Sequence, residues 1–320
     1  MNRSLQIILS LIIAVVSFLF FLILFFPLDT LISHQLANIE SQTKGMYRVS
    51  VSDMETSLLF DSKFKDFRVE KKETEGFQEL FSAPEVRVGI SLISLLSQKL
   101  NLRFLASFKK GSFGGRVTLS RSESVFDLEF DKMSLEELVI LKSYFQFNDL
   151  QFQLKGFLDG TMYFAQFQGS GFSGAESNFH VKISNFRITD LNSKLGGKSI
   201  FFQNLVLSPE EDFAIFEGDL EKERFSLTNI SIPGPDIEFH LTGRLRLNEK
   251  TEVIQSKMTG RFALAESLFQ KIPELELLNE YKNADGFFPL RISGSFHNLP
   301  QIRIGNLNLT QILKTFGLVD

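Results

Sequence analysis

The chain has 320 residues, with 34 Lys or Arg and 38 Asp or Glu giving a formal charge of -4. Charges of both signs are interspersed along the sequence, leaving neither a basic stripe nor an acidic tail, so nucleic acid is not an expected partner. The absence of cysteine excludes a disulfide framework, a Cys-based zinc site and a thiol nucleophile, and it suits an oxidising compartment such as a bacterial periplasm.

The first element is an apolar run bounded by Leu5 and Phe26 and interrupted only by Gln6, Ser10 and Ser17. Roughly 22 residues at about 1.5 Å each span about 33 Å, enough to cross a hydrocarbon core of about 30 Å. A cleaved signal peptide has a shorter apolar region and a small-residue cleavage site, whereas this run exits through Phe25-Phe26-Pro27-Leu28-Asp29. The sequence therefore predicts an uncleaved anchor. Arg3 precedes it and the next basic residue is Lys44, which places the short N-terminus in the cytoplasm and the rest of the chain outside.

Leu28, Leu31, Ile32, Leu36 and Ile39 recur at helical spacing after Asp29, a suitable N-cap, and Gly45 closes the segment. Residues 28–46 thus read as an amphipathic connecting helix. From Tyr47 the period drops to two. The clearest strand is 236–248, where Ile237, Phe239, Leu241, Leu245 and Leu247 alternate with Glu238, His240, Thr242, Arg244 and Arg246. Similar alternation occupies 48–52, 64–70, 85–90, 102–108, 116–120, 125–130 and 179–189. In the last, the apolar phase slips between Ile183 and Phe186, which predicts a bulge near Ser184 and Asn185. Helical periodicity returns at 92–100, 134–145, 266–281 and 310–316, with Ser134 and Glu137 at capping-box spacing.

The fold class is accordingly mainly β: an N-terminal transmembrane helix (1–27), the connecting helix (28–46), and one elongated, curled antiparallel sheet (47–320) with a few short covering helices. No Pro-rich or Gly/Ser-rich linker divides the β-region, and any two lobes would meet near Asp149. Five glycines, Gly156, Gly218, Gly243, Gly260 and Gly294, sit between apolar residues in an apolar-x-Gly-x-apolar pattern. Glycine inside a strand marks a bend or a close backbone approach, so the sheet is expected to curl strongly.

The aromatic content is 36 Phe, 4 Tyr and no Trp, an almost wholly apolar set that requires burial or lipid. Tyr163, Phe164, Phe167, Phe201, Phe202 and Phe216 could line either an apolar groove or a closed core. No catalytic constellation appears. His34, His180, His240 and His297 are far apart, without ligand spacing for a metal. Gly169-x-Gly171-x-x-Gly174 matches a dinucleotide fingerprint, but a strand rather than a helix follows, so a hairpin connection fits better. No catalytic, cofactor-binding or metal-binding residue is therefore assigned, no cofactor is expected, and the chain reads as non-enzymatic.

The anchor ending Phe26-Pro27-Leu28-Asp29, the helix to Gly45, and the closing segment Gly286-Phe287-Phe288-Pro289-Leu290-Arg291-Ile292-Ser293-Gly294-Ser295-Phe296 resemble the type II secretion system protein N family. Glu85-Val86-Arg87-Val88-Gly89-Ile90 followed by Ser91-Leu92-Ile93-Ser94-Leu95-Leu96 also resembles the wider AsmA-like pattern of a strand running into a short helix. The first resemblance implies a single-pass inner-membrane component of protein secretion, with its C-terminal domain in the periplasm and other secretion proteins as partners. The second implies a curled sheet whose apolar face handles lipid.

Overall fold

The computed structural model describes residues 28–57, 61–73, 76–91, 94, 97–138, 151–167, 174–195, 198–248, 253–295 and 300–310. The Leu5 to Phe26 run lies outside them, and no helix among the described residues is long and apolar enough to cross a membrane. The chain opens with helix α1 (Leu28–Gln42) and continues as β1 (Tyr47–Ser50), β2 (Asp53–Glu55), β3 (Ser62–Glu73), β4 (Gly76–Ile90), β5 (Leu100–Ser107), β6 (Ser112–Leu119) and β7 (Glu123–Ser134). Next come β8 (Gln151–Phe167), β9 (Ala175–Leu195), β10 (Lys198–Val206), β11 (Phe213–Glu221), β12 (Arg224–Pro233), β13 (Ile237–Leu247) and β14 (Val253–Leu264). Helix α2 (Glu266–Lys271) and a 3-10 helix (Pro273–Tyr281) precede β15 (Phe288–Gly294), β16 (Gln301–Ile304) and β17 (Leu307–Asn308).

The 17 strands among the described residues belong to one sheet. From β2 to β9, and again from β11 to β17, each strand pairs antiparallel with the next. Two long strands serve as splints. β3 carries both β1 and β2 along one edge, and β9 carries β11 along its first half and β10 along its second. β7 and β8 pair directly, so the sheet runs on past position 149, which itself lies outside the described residues.

One face of this sheet is a core. Phe64, Val86, Ala106, Met133, Leu158, Ile183, Phe186 and Ala214 are buried in a single cluster drawn from β3 to β11, with Ile232 and Ile237 packed against it. A sheet wet on both faces would not show such a connected set of buried side chains on one of them. Ile32 of α1, together with Leu135 and Leu138 after β7, packs into the same cluster. A second cluster of Phe269, Leu278, Phe288 and Ile304 and a third of Phe202, Leu205 and Leu268 lie beneath α2 and the 3-10 helix.

The bulge predicted near Ser184 and Asn185 is present. Phe157 pairs with Ser184 but Lys155 with Arg187, and Asn185 takes φ 51°. Phe186 is then turned toward the loop after β10. Its backbone N–H donates to the Oγ of Ser208 at 3.1 Å, and that hydroxyl donates to the Ile183 carbonyl at 3.2 Å. Ser208 is fully buried. Ser208→Ala strands both groups without water, so thermal unfolding should show a loss of about 1–3 kcal/mol.

The outer strand β2 is held by charge, Lys65 Nζ lying 2.7 Å from Asp53 Oδ2. The hydrogen bond from Lys65 keeps the Asp53 carboxyl below its usual range. A lowered folded value means that this contribution is present at neutral pH and is lost only as pH falls through that lowered value. Amide exchange in β2 should therefore rise at acid pH in the natural chain, and Asp53→Asn should flatten that dependence.

Three helical expectations change where residues are described; 92–93, 95–96 and 139–145 lie outside them. Within 92–100 only position 94 is helical among the described residues, and Leu100 opens β5. Ser134 ends β7 at φ -66° and ψ 129° without a side-chain cap, and a single 3-10 turn follows at Leu135–Glu137. The sheet explains the difference, because Met133 and Ser134 pair with Leu158 and Phe157 of β8, and Met133, Ser134 and Leu135 are all buried. Segment 266–281 is helical but broken, Pro273 starting the 3-10 part. Of 310–316 only Thr310 is described.

Candidate functional site: an apolar face of the sheet

Three rows of side chains cross the inner face perpendicular to the strands, each row defined by direct cross-strand pairing. The middle row runs Val88, Phe104, Gly115, Leu128, Met162, Phe179, Gly218, Leu227, Gly243, Met258, Ile292, Ile302. On one side of it lies the row Phe64, Val86, Ala106, Phe113, Phe130, Gly160, Val181, Phe216, Ile230, Leu241, Gly260, Leu290, Ile304. On the other side lies Ile90, Leu102, Val117, Phe126, Phe164, Ser177, Leu220, Phe225, Leu245, Ser256, Gly294. Apart from Ser177 and Ser256 these rows hold only apolar residues and glycine.

Glycine recurs along the rows for a steric reason. Where large side chains crowd one face of a sheet, each needs an empty place beside it. Gly218 supplies one: a Cβ there would lie 2.7 Å from Cε1 of Phe179 and 2.6 Å from the Ser226 carbonyl oxygen. The Phe179 ring therefore lies over β11 and stacks on Phe225, centroids 5.7 Å apart and planes at 10°. Gly243 is equally confined, a Cβ coming within 2.5 Å of both the Met258 Cα and the Lys257 carbonyl oxygen. At Gly260 the obstruction is the His240 carbonyl, and at Gly156 it is Ile183 and Ser184 of the bulged strand. Gly294 departs from the expectation, because it is the last residue of β15 and a Cβ there meets nothing closer than 3.9 Å.

The six aromatic residues singled out from sequence do not form one groove. Phe164 and Phe216 lie on the inner rows, Phe164 partly exposed beside Phe126 with centroids 6.1 Å apart, and Phe216 packed against the main core. Phe202 is also inward but 5 % exposed, in the cluster that α2 covers, with Lys271 Nζ 4.8 Å from its ring centroid. Adjacent residues of a strand face opposite ways, so Phe201 stands outside at 56 % exposure. Tyr163 pairs with Asp127 and Asn178 on the outer face, and Phe167 is an exposed strand end. The residues missed were Phe126, Phe179 and Phe225, each partly exposed on the inner face. Their alternation within short strands was the available signal.

The outer face carries the polar groups. Nδ1 of His180 lies 2.5 Å from Glu217 Oε1 across β9 and β11. The second His–Glu pair is extended by a hydroxyl: Nε2 of His240 is 3.0 Å from Glu238 Oε1 and Nδ1 is 3.2 Å from Ser231 Oγ. A Ser–His–Glu line invites a hydrolytic reading, but Ser231 and His240 are cross-strand partners in the β12–β13 ladder. Backbone N–H groups engaged in that ladder are not free to form an oxyanion hole, and the line lies on the outer surface of the sheet rather than in a cleft. No group of three His, Cys, Asp or Glu suited to a metal occurs among the described residues. The glycines at 169 and 171 lie outside those residues, and the flanking β8 and β9 pair as an antiparallel hairpin, without the helix a dinucleotide site requires.

No family model matches the chain, and no curated protein or solved structure matches it.

Proposed function

We propose that the chain is a non-enzymatic inner-membrane component of a bacterial type II protein secretion system, acting through its β-domain in the periplasm. The observation that carries this reading is an open sheet with an available edge at β2. Among the described residues no strand pairs with the outer side of β2, which bears Asp53 and Glu55. Unpaired N–H and C=O groups along an edge recruit a further strand, and the charges on β2 favour a chosen partner over self-association. The resemblance of the two chain ends to the protein N family gives that partner its class, other proteins of the secretion machinery. Deleting the gene should reduce delivery of a folded exoprotein and leave the lipid composition of both membranes unchanged. A reporter that is active only after export, fused behind Asp320, should be active, and an inactive one would overturn the topology.

A second reading, AsmA-like handling of lipid, is favoured by the partly exposed inner-face rings of Phe126, Phe164, Phe179 and Phe225. Such a face can shield acyl chains from water. Phe164 is the position for a photo-crosslinker. Capture of phospholipid there in cells, with exoprotein secretion intact in the deletion strain, would replace the first reading by the second.

A further inference from the structure

The outer face of the last strands concentrates positive charge that the linear sequence disperses. Arg224 is directly opposite Arg246, Arg244 opposite Lys257, and Arg291 opposite Arg303. All six are exposed, and none forms an ion pair with a described residue. The acids nearby only partly offset them: Glu221 faces Arg224 in the ladder but its carboxylate lies 3.5 Å from Lys222, Glu238 holds His240, and Asp219 and Glu223 share the shallow surface cavities of Arg224 and Arg244 without an ion pair to either. Earlier in the sheet one such pair stands alone, Arg103 opposite Arg116, with Asp127 on the far side of Arg116. Like charges directly opposite on neighbouring strands destabilise a sheet, so three such pairs side by side are explained by an anionic partner.

The path of the chain indicates which one. The Thr56 hydroxyl, just beyond β2, donates to Asp29 near the start of α1, while Glu40 near its end holds Arg48 of β1, opposite Glu70. By cross-strand register Thr56 lies near the row of Ser62, Val88 and Gly243, well toward the end of the sheet where β11 turns into β12 and β13 into β14. The described chain therefore begins, at Leu28, at the end of the sheet that carries Arg224, Arg244, Arg246 and Lys257. Guanidinium groups there suit phosphate, which they bind in bidentate fashion.

We propose that the outer face of β12–β14 docks on the anionic phosphate headgroups of the bilayer that holds the N-terminal run, setting the tilt of the sheet against that membrane. The proposal rests on the anchored topology above. Because the chain has no cysteine, Gln255→Cys, exposed on β14 opposite Arg246, gives a unique label on the full chain. The labelled chain is reconstituted in nanodiscs of phosphatidylcholine alone or with phosphatidylglycerol, and quenching by a headgroup-attached quencher is read. Quenching should be several-fold greater with phosphatidylglycerol and fall toward the neutral-lipid level at about 0.5 M salt.

The triple variant Arg244→Gln, Arg246→Gln, Lys257→Gln should abolish the difference, since each basic residue near an anionic surface is worth about fivefold in binding. The same variant should melt at or above the natural temperature, because like-charge pairs have been removed. Equal quenching in the two lipids, or a triple variant that behaves as the natural chain, overturns the proposal. So does protection of the label by heparin with no lipid effect, which would assign the face to a soluble polyanion. If the chain fails to enter the discs, the topology has failed. Salt-sensitive flotation with phosphatidylglycerol vesicles but not phosphatidylcholine vesicles would then still support the face, and its absence would overturn it.

Discussion

Gly243→Val should lower the stability of the β-domain by about 2–3 kcal/mol, although valine is the better strand former. The reason lies across the strand boundary. The new Cβ would meet the Met258 Cα and the Lys257 carbonyl oxygen at 2.5 Å and Met258 Cγ at 2.7 Å. Met258 is 4 % exposed, and the two backbone atoms are fixed in the β13–β14 ladder, so neither can yield cheaply. Gly218→Val should behave similarly and also separate the stacked rings of Phe179 and Phe225. Gly294→Val is the internal control, because its neighbourhood is open and only its φ of 107° opposes the change. Chemical denaturation of the three variants reads the series directly. Unchanged or raised stability for Gly243→Val would mean that the inner face is not crowded.

The period of two located most strands because an antiparallel sheet with one buried face writes its geometry into alternate residues. In β13 the alternation of Leu241, Leu245 and Leu247 with Thr242, Arg244 and Arg246 is also the alternation of exposure. The slip between Ile183 and Phe186 located the bulge for the same reason. Helices were over-read where apolar residues cluster without alternating. Ser134 and Glu137 have capping-box spacing, yet pairing of Met133 and Ser134 with Leu158 and Phe157 of β8 holds the backbone extended through Ser134.

The site was legible only in part. Glycine positions could be found in the sequence, but their alignment into rows depends on register, which no single strand encodes. The basic face was hidden by the same rule: acids and bases alternate along the chain, while pairing brings Arg244 to Lys257 and Arg291 to Arg303. The splitting of the aromatic set was within reach, since Phe201 and Phe202 are neighbours and in a strand must point to opposite faces.

Phe288→Ala should have the larger effect on folding, about 3–5 kcal/mol. Its ring is fully buried, stacked on Phe262 at 5.1 Å and set 6.4 Å from Phe269 of α2, with the Lys282 ammonium 5.7 Å from its centroid. It joins the sheet to the helical cover. Removing it leaves a cavity among Phe262, Phe269 and Leu278, and α2 loses the anchor that keeps Leu268 over Phe202. Hydrogen exchange should rise first in α2 and β15 and leave β5–β9 protected, because the main core draws nothing from this cluster. That outcome bears on function, since the cover over β13–β16 closes the inner face at one end and leaves entry to Phe126, Phe164 and Phe225 at the other. If Phe288→Ala instead raises exchange uniformly across the sheet, the cover and the sheet unfold as one unit, and the two ends of the inner face cannot act independently.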